Sequence, residues 1–305
     1  MHFLCTRTNA EVTHAVSKVP VIVALIDQQQ FVQESADALQ EPVREALKKL
    51  GSWKDVLHGR WLGHPLHPVL TDIPVGAWTT ALALDAAEMM TEKEGFGDAA
   101  DLVIGIGIAG AVASAVTGLT DWSETDGRAK NVGMVHGILN LAATGLYTAS
   151  LISRRGQSRR NGVALSLLGY AMASFSAYLG GHLVFGEQIG VDHTATPDQG
   201  QPKKFTPVMA ESELKEKKPV RADVEDTAVL LVRIGGQIHA LTNTCSHLGG
   251  PLNEGKLEGD CIRCPWHGSL FSLSDGKVLE GPATYNERVF EVRVRDGQIE
   301  IRARD

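Results

Sequence analysis

Four long apolar stretches, separated by short polar segments, dominate the middle of the chain. They cover about residues 66–89, 99–120, 132–153 and 162–186. Each has roughly the twenty residues that an α-helix needs to cross a bilayer core of about 30 Å. The last three are almost free of charge, whereas the first contains Asp72, Asp85 and Glu88, which weakens it as a span. The pattern predicts a four-helix transmembrane bundle, and a soluble bundle of buried helices is the alternative.

The regions on either side of these stretches follow different patterns. Before them, apolar residues recur at steps of three and four from Val32 to Leu50, which predicts an amphipathic helix with Pro42 inside it. Trp53 and Trp61 then suit either a membrane interface or a helix packed on its own protein. After about residue 205 the pattern changes to the short alternating segments of β-strands. Three hairpin signals lie among them, at Gly235-Gly236, Asp275-Gly276 and Asp296-Gly297.

The sequence therefore predicts a multi-domain protein, in which an α-helical four-span membrane bundle precedes an all-β domain, an antiparallel β-sandwich. The expected divisions are an N-terminal tail with the amphipathic helix (1–62), the transmembrane domain (63–187), a linker (188–204) and the β domain (205–305). The linker is polar and contains Pro197 and Pro202, as a tether between two domains would.

Composition and charge narrow the classes of function. The formal net charge is -7 and no basic block occurs, so nucleic acid is not expected as a partner. Three of the four cysteines lie within twenty residues of one another and the fourth is Cys5. That distribution favours metal chemistry over a disulfide framework. The first residues lack the basic and apolar pattern of a cleavable signal peptide.

The clearest chemical signal lies in two short segments, TNTCSHLGGPL and CIRCPWHGSLF. The first contains Cys245 and His247, and the second contains Cys264 and His267. Two thiolates and two imidazoles on turns rich in glycine and proline are suited to a two-iron cluster, with sulfur on one iron and nitrogen on the other. A zinc site is the competing interpretation, but the spacing is not that of a common zinc finger. Cys261 is not needed as a ligand and is interpreted as a strand thiol.

These motifs resemble the Rieske [2Fe–2S] family over about residues 205–305. The resemblance implies that the two cysteines and two histidines just named bind a [2Fe–2S] cluster and that the domain moves single electrons. Respiratory members join the two cluster loops by a disulfide, whose equivalent positions here are Gly250 and Trp266. Ser269 is retained as a donor to the cluster, whereas Phe271 replaces a common tyrosine. We therefore expect a Rieske ferredoxin-like potential, in the lower half of the range of about -150 to +300 mV.

The membrane half carries a second resemblance. The segment His64-Pro-Leu-His67-Pro, followed by Asp72, Pro74 and Trp78, is similar to a bacterial family of four-helix membrane proteins of uncharacterised function. GGHLVFG around His182 fits the same family. The similarity covers about residues 60–190 and implies no established activity.

Four histidines fall at one end of the predicted bundle if its helices alternate in direction. These are His64, His67, His136 and His182, and the β domain emerges at the same end. Two imidazoles on facing helices could ligate haem b, or the group could line a quinone pocket. Asp72 is a further candidate, because carboxylates inside a span are costly. Interfacial histidines bound to water or lipid are the alternative.

The charges predict an orientation. The loop between the third and fourth stretches contains Arg154, Arg155, Arg159 and Arg160. Short loops rich in arginine prefer the cytoplasm. The loop also resembles the twin-arginine signal that precedes the last span of actinobacterial Rieske proteins. Lysine and arginine residues at the histidine end of the bundle favour the opposite orientation. We expect a multi-pass protein of the bacterial cell membrane with its β domain outside.

The leading hypothesis is a membrane-anchored Rieske protein that transfers single electrons between a membrane donor, quinol or haem, and a redox partner protein. The alternative is a quinol-oxidising or haem-containing oxidoreductase with a second redox site on the histidine-rich face. A sensor that reports the redox state of its cluster also stays open. A Rieske oxygenase is not expected, because its second iron needs two histidines, normally downstream of the cluster, and His267 is the last histidine of this sequence.

Overall fold

The computed structural model describes residues 19–91, 93–156, 158–194 and 201–304. Within them lie seven α-helices: α1 (Val21–Asp27), α2 (Gln30–Lys48), α3 (Trp53–His58), α4 (Leu66–Thr91), α5 (Glu94–Trp122), α6 (Gly127–Arg155) and α7 (Arg159–Phe185). Ten strands follow: β1 (Thr206–Ala210), β2 (Val220–Val224), β3 (Thr227–Ile234), β4 (Gln237–Thr242), β5 (Lys256–Glu258), β6 (Cys261–Arg263), β7 (Leu270–Ser272), β8 (Val278–Glu280), β9 (Phe290–Arg295) and β10 (Gln298–Ala303). Cys5 lies outside the described residues.

The predicted amphipathic helix is α2. It continues through Pro42, which occupies an exposed position. Its apolar side packs against α6, where Val32 and Ala36 contact Met134 in one buried cluster. The preceding helix α1 packs on α6 and α7 through Val23. This tail is therefore part of the helical domain, since its apolar stripe is covered by the bundle.

The bundle consists of two helical hairpins, α4 with α5 and α6 with α7. Three of the described helices, α5, α6 and α7, are long and apolar enough to cross a membrane. The helix α4 contains three carboxylates and is not among them. Its role as a fourth span stays a prediction.

The two hairpins repeat each other at their points of contact. His67, Trp78 and Asp85 on α4 have the same spacing as His136, Tyr147 and Arg154 on α6. Each of the three pairs meets at the centre of the bundle. The histidine rings are 6.4 Å apart, the Trp78 and Tyr147 rings stack at 4.1 Å, and Arg154 Nη1 lies 2.6 Å from Asp85 Oδ1. The bundle thus has three central layers, each built from one residue of each hairpin.

Charged residues close the end of the bundle that is remote from the β domain. The Arg154 side chain is fully buried and also donates to Asp101 at 3.2 Å. Arg159 reaches Asp101 as well and pairs with Glu88 at 2.6 Å. Buried charges are tolerated only with such partners, so the network fixes how the two hairpins meet.

The β domain contains three antiparallel sheets, in the orders β1-β10-β9, β2-β3-β4 and β5-β6-β7-β8. The three predicted hairpin turns are confirmed, because β3 pairs with β4, β7 with β8, and β9 with β10. The strand β3 is apolar on both faces: Leu230 and Val232 enter one core, and Val229 and Leu231 enter another. Such a doubly buried strand is a continuous apolar run because neighbouring side chains point to opposite faces. The first core also contains Cys245 and Cys264.

Candidate metal centre

Two loops with the same kind of glycine-containing turn form the site. The first follows β4 and the second joins β6 to β7. In the first, the Gly249 N–H donates to Cys245 O at 2.9 Å; in the second, the Gly268 N–H donates to Cys264 O at 3.2 Å. Both glycines have positive φ, +80° and +77°, a conformation that side chains disfavour. Each Cys-x-His or Cys-x-x-His segment is thus folded into a tight turn, which brings its cysteine and histidine side chains close together.

The structure brings the four predicted metal ligands together. The thiol of Cys245 hydrogen-bonds the sulfur of Cys264, and the rings of His247 and His267 lie 5.0 Å apart and nearly perpendicular. The Nδ1 atom of His247 is buried without a hydrogen-bond partner among the described residues. A Cβ on Gly250 would come within 2.9 Å of Cys264 Sγ. Two sulfurs, an orphaned imidazole nitrogen and a space that only glycine leaves open fit a [2Fe–2S] cluster.

The protonation states of the site also suit metal binding. The hydrogen bond from Cys245, together with the backbone N–H groups of Trp266 and His267, lowers the pKa of Cys264 to about 6. Burial, with His267 nearby, holds the pKa of His247 well below its usual value. Thiolates and neutral imidazoles are the forms that bind metals, so little proton release would oppose the binding of a cluster.

Other residues hold these loops in place. The hydroxyl oxygen of Ser269 accepts a hydrogen bond from the Ala283 N–H at 3.0 Å, so it ties the second loop to the segment before β9. The Ser246 N–H donates to Glu287 Oε1 at 2.7 Å, directly between the two ligands of the first loop. Burial raises the pKa of Glu287 to about 8. Glu287 lies outside both motifs and has no local signature, so the sequence pattern does not indicate it.

The cluster end of the β domain is docked on the helical domain. Nε2 of His267 lies 3.1 Å from a carboxylate oxygen of Asp126, the residue that precedes α6. The Gly281 N–H donates to Asp55 at 2.9 Å, and Arg60 donates to the Leu279 carbonyl. The candidate ligands therefore face the bundle, and the neighbouring Trp266 is 57% exposed.

A cavity of about 30 Å³ lies in this interface, which is room for about one water molecule. His58, Asp121 and His247 are among the residues that line it. Nδ1 of His58 lies 3.1 Å from Asp121, and its Nε2 is buried with no partner in the described parts of the chain. The helical domain thus places a buried imidazole beside a candidate ligand of the β domain.

The histidines predicted for a second redox site are not all together. His67 and His136 form the central pair of the bundle. His182 instead pairs with Glu187 at 3.1 Å, and His64 is hydrogen-bonded to the neighbouring Pro65 carbonyl. Asp72 is exposed on α4. Only two of the five candidates therefore share a site in the structure.

Comparison with known families matches both halves of the chain. Residues 63–193 match the family described as predicted membrane protein (DUF2231), and residues 204–293 match the Rieske [2Fe-2S] domain.

Individual relatives align with the second half. The anthranilate 1,2-dioxygenase ferredoxin subunit of Burkholderia cepacia is 33% identical over 98 residues, which are 32% of this chain and 91% of the relative. Ferredoxin CarAc of Metapseudomonas resinovorans is 41% identical over 23% of this chain and 64% of its own length. The chain covers 12% of mouse apoptosis-inducing factor 3, at 40% identity. The solved ferredoxin of carbazole 1,9a-dioxygenase from Nocardioides aromaticivorans is 27% identical, over 33% of this chain and 99% of the ferredoxin, with a TM-score of 0.32.

Proposed function

This chain belongs to the Rieske [2Fe–2S] domain family through its C-terminal domain, which follows an N-terminal DUF2231 domain, and on that premise we propose that it is a membrane-anchored carrier of single electrons. The bilayer anchor is the four-helix bundle, with α4 as the fourth span. The observation that carries the proposal is the convergence of two sulfurs and two imidazoles in a buried pocket docked on that bundle.

We assign Cys245, His247, Cys264 and His267 as the ligands of the cluster. A bound [2Fe–2S] cluster accepts and releases one electron at a time, at a potential set by its ligands and hydrogen bonds. The backbone N–H groups of His247, Trp266 and His267 donate to the ligand sulfurs. Such donors stabilise the additional negative charge of the reduced state. The chain's own residues therefore hold and tune the centre.

The docked arrangement supports a donor on the membrane side. Both candidate histidine ligands face residues of the helical domain, Asp126 for His267 and the small cavity with His58 for His247. A quinol or haem held by the bundle would meet the cluster through this face. The exposed ring of Trp266 marks the open side, where a redox partner protein could approach. The aligned dioxygenase ferredoxins are named as components of multi-protein systems, which favours a protein acceptor.

We also propose that the cluster domain is extracytoplasmic. At the opposite end of the bundle, Arg154 and Arg159 are neutralised by carboxylates, but Arg155 and Arg160 are exposed. Exposed arginines in a short loop favour the cytoplasmic side. Protease added to intact spheroplasts should then cut the cluster domain. Cutting only after the cells are lysed would show that the cluster domain lies in the cytoplasm.

A redox titration of the purified full chain tests the electron-transfer function. We expect the paramagnetic resonance signal of the cluster to follow one reversible one-electron transition below about +75 mV, the midpoint of the Rieske range. Replacing Asp126 with asparagine should raise the potential by the order of 30 mV, since the carboxylate bound to His267 favours the more positive, oxidised state.

The matched control is Asp55→Asn. It removes a carboxylate charge from the same interface but from a residue that contacts the Gly281 N–H and no candidate ligand. We expect a shift of less than half that of Asp126→Asn. A cluster that cannot be reduced reversibly would contradict the proposed function, and equal shifts in both variants would contradict the assigned contact.

The histidine pair in the bundle favours a second candidate, a haem-containing oxidoreductase. In it the helical domain supplies a redox centre of its own.

A further inference from the structure

The three central layers of the bundle differ in how their members interact. Trp78 and Tyr147 stack, and Asp85 and Arg154 form an ion pair, so the two halves of each of these layers satisfy each other. The third layer has the same residue in both hairpins, His67 and His136. Its rings lie 6.4 Å apart, and no hydrogen bond joins them. Both hairpins have the same residue in the histidine layer, whereas their residues differ in the other two layers. This points to a common role for the two imidazoles.

Each imidazole of this pair is held in the same way. Nδ1 of His67 lies 2.9 Å from the Ser114 carbonyl, and Nδ1 of His136 lies 2.9 Å from the Ser176 carbonyl. A carbonyl oxygen only accepts, so Nδ1 carries the proton and Nε2 keeps its lone pair. A backbone carbonyl on the distal N–H is also the usual support of a metal-binding histidine.

Within the described residues, the protein itself uses only one of the two Nε2 lone pairs. Asn140 donates to Nε2 of His136 at 3.1 Å, whereas no hydrogen bond reaches Nε2 of His67 from the described chain. The rings are perpendicular, with an interplanar angle of 89°. When two imidazoles bind one metal ion from opposite sides, each metal–nitrogen bond is about 2 Å long. Adding the distance from each nitrogen to the centre of its ring places the two ring centroids about 6 Å apart. The centroid separation of 6.4 Å in the structure leaves room for one metal ion between the two rings.

The remaining donors around the pair define the kind of metal site. No group of three or more His, Cys, Asp or Glu side chains that could hold a metal ion occurs in the described ranges. Porphyrin would supply four further ligands to a metal bound by His67 and His136. Both histidines are half-buried, so each ring is partly exposed at the surface of the bundle.

We propose that His67 and His136 are the axial ligands of a haem iron bound between the two helical hairpins. This inference rests on the proposed function and names its membrane donor: ferrous haem iron loses the one electron that the oxidised cluster gains, and no proton or further reactant is required. The site lies on the cluster side of the bundle. Asp126, which contacts His267, precedes His136 by ten residues, about 15 Å along the helix axis.

Titration of the purified full chain with ferric haem tests the proposal. We expect one haem per chain, with the absorption and paramagnetic resonance spectra of low-spin iron ligated by two histidines. His67→Gln and His136→Gln should each weaken haem binding at least tenfold and remove the low-spin spectrum. Glutamine can still donate to the Ser114 or Ser176 carbonyl, so the helices keep that contact. The cluster signal of each variant reports whether the chain has folded.

The matched controls are His64→Gln and His182→Gln, because these histidines lie at the same end of the bundle but bond to Pro65 and Glu187. Both should bind haem as the unchanged chain does. Failure of the unchanged chain to bind haem, equal losses in the controls, or retention of a different metal by both central histidines would each overturn the proposal. A Cys264→Ser chain, which we expect to lack the cluster, should still bind haem, so failure of the proposed function and failure of this site can be told apart.

Discussion

We expect the chain to lose its [2Fe–2S] cluster when Cys264 is replaced by serine, and to keep it when the same change is made at Cys261. The Cys264 sulfur accepts a hydrogen bond from the Cys245 thiol and two more from backbone N–H groups, and together these lower its pKa to about 6. A serine hydroxyl at this position would stay protonated and would not supply the anionic sulfur ligand. Iron and acid-labile sulfide should fall from two atoms of each per chain to nearly none.

Cys261 is the matched control because it lies on β6, three residues before Cys264, in the same domain. It is half-buried and free, and burial raises its pKa, so it behaves as an ordinary strand thiol. Cys261→Ser should retain the full Rieske paramagnetic resonance signal. A full signal in Cys264→Ser would show that the ligand assignment is wrong. Zinc without sulfide in the unchanged chain would show that the cluster assignment itself is wrong.

The cluster loops could be predicted because their chemistry is local. Each motif holds its cysteine, its histidine and the glycine of its turn within five residues, so spacing alone implies geometry. The hairpin turns were predictable for the same reason. Glu287 and Asp126 were not, because each reaches its loop from a distant part of the chain and becomes significant only when the domains are folded and docked.

The repeat in the bundle shows a second limit of sequence patterns. Of the three pairs that meet across the centre, only His67 and His136 are the same residue on α4 and α6, and the other two pairs have different residues. Apolar periodicity predicts that these helices exist, but it does not show which residues meet across the centre. His67 and His136 were candidates among five, and only the packing of the hairpins separates them from His64, His182 and Asp72.

The buried ion pair gives the largest stability effect that we expect outside the cluster. Replacing Arg154 with methionine should lower the free energy of unfolding by about 3–5 kcal/mol, because it leaves the buried carboxylate of Asp85 with only the longer contact to Arg159, at 3.9 Å. The Arg154 side chain is 0% exposed and that of Asp85 is 3% exposed, so water cannot replace the lost contact. The free energy of unfolding can be measured in detergent micelles by denaturant titration. Arg155→Met, on the exposed neighbouring residue, should change it by less than about 0.5 kcal/mol.

A double variant separates the cost of an unpaired charge from the value of the pair itself. Asp85→Leu combined with Arg154→Met replaces both charges with apolar groups, and we expect it to recover most of the stability lost in Arg154→Met alone. Recovery should be incomplete, because Asp101 loses its contact with Arg154 and keeps only that with Arg159. If the single variant were as stable as the unchanged chain, Asp85 would not be confined between the hairpins. The central layers would then not be what holds the two halves of the bundle together.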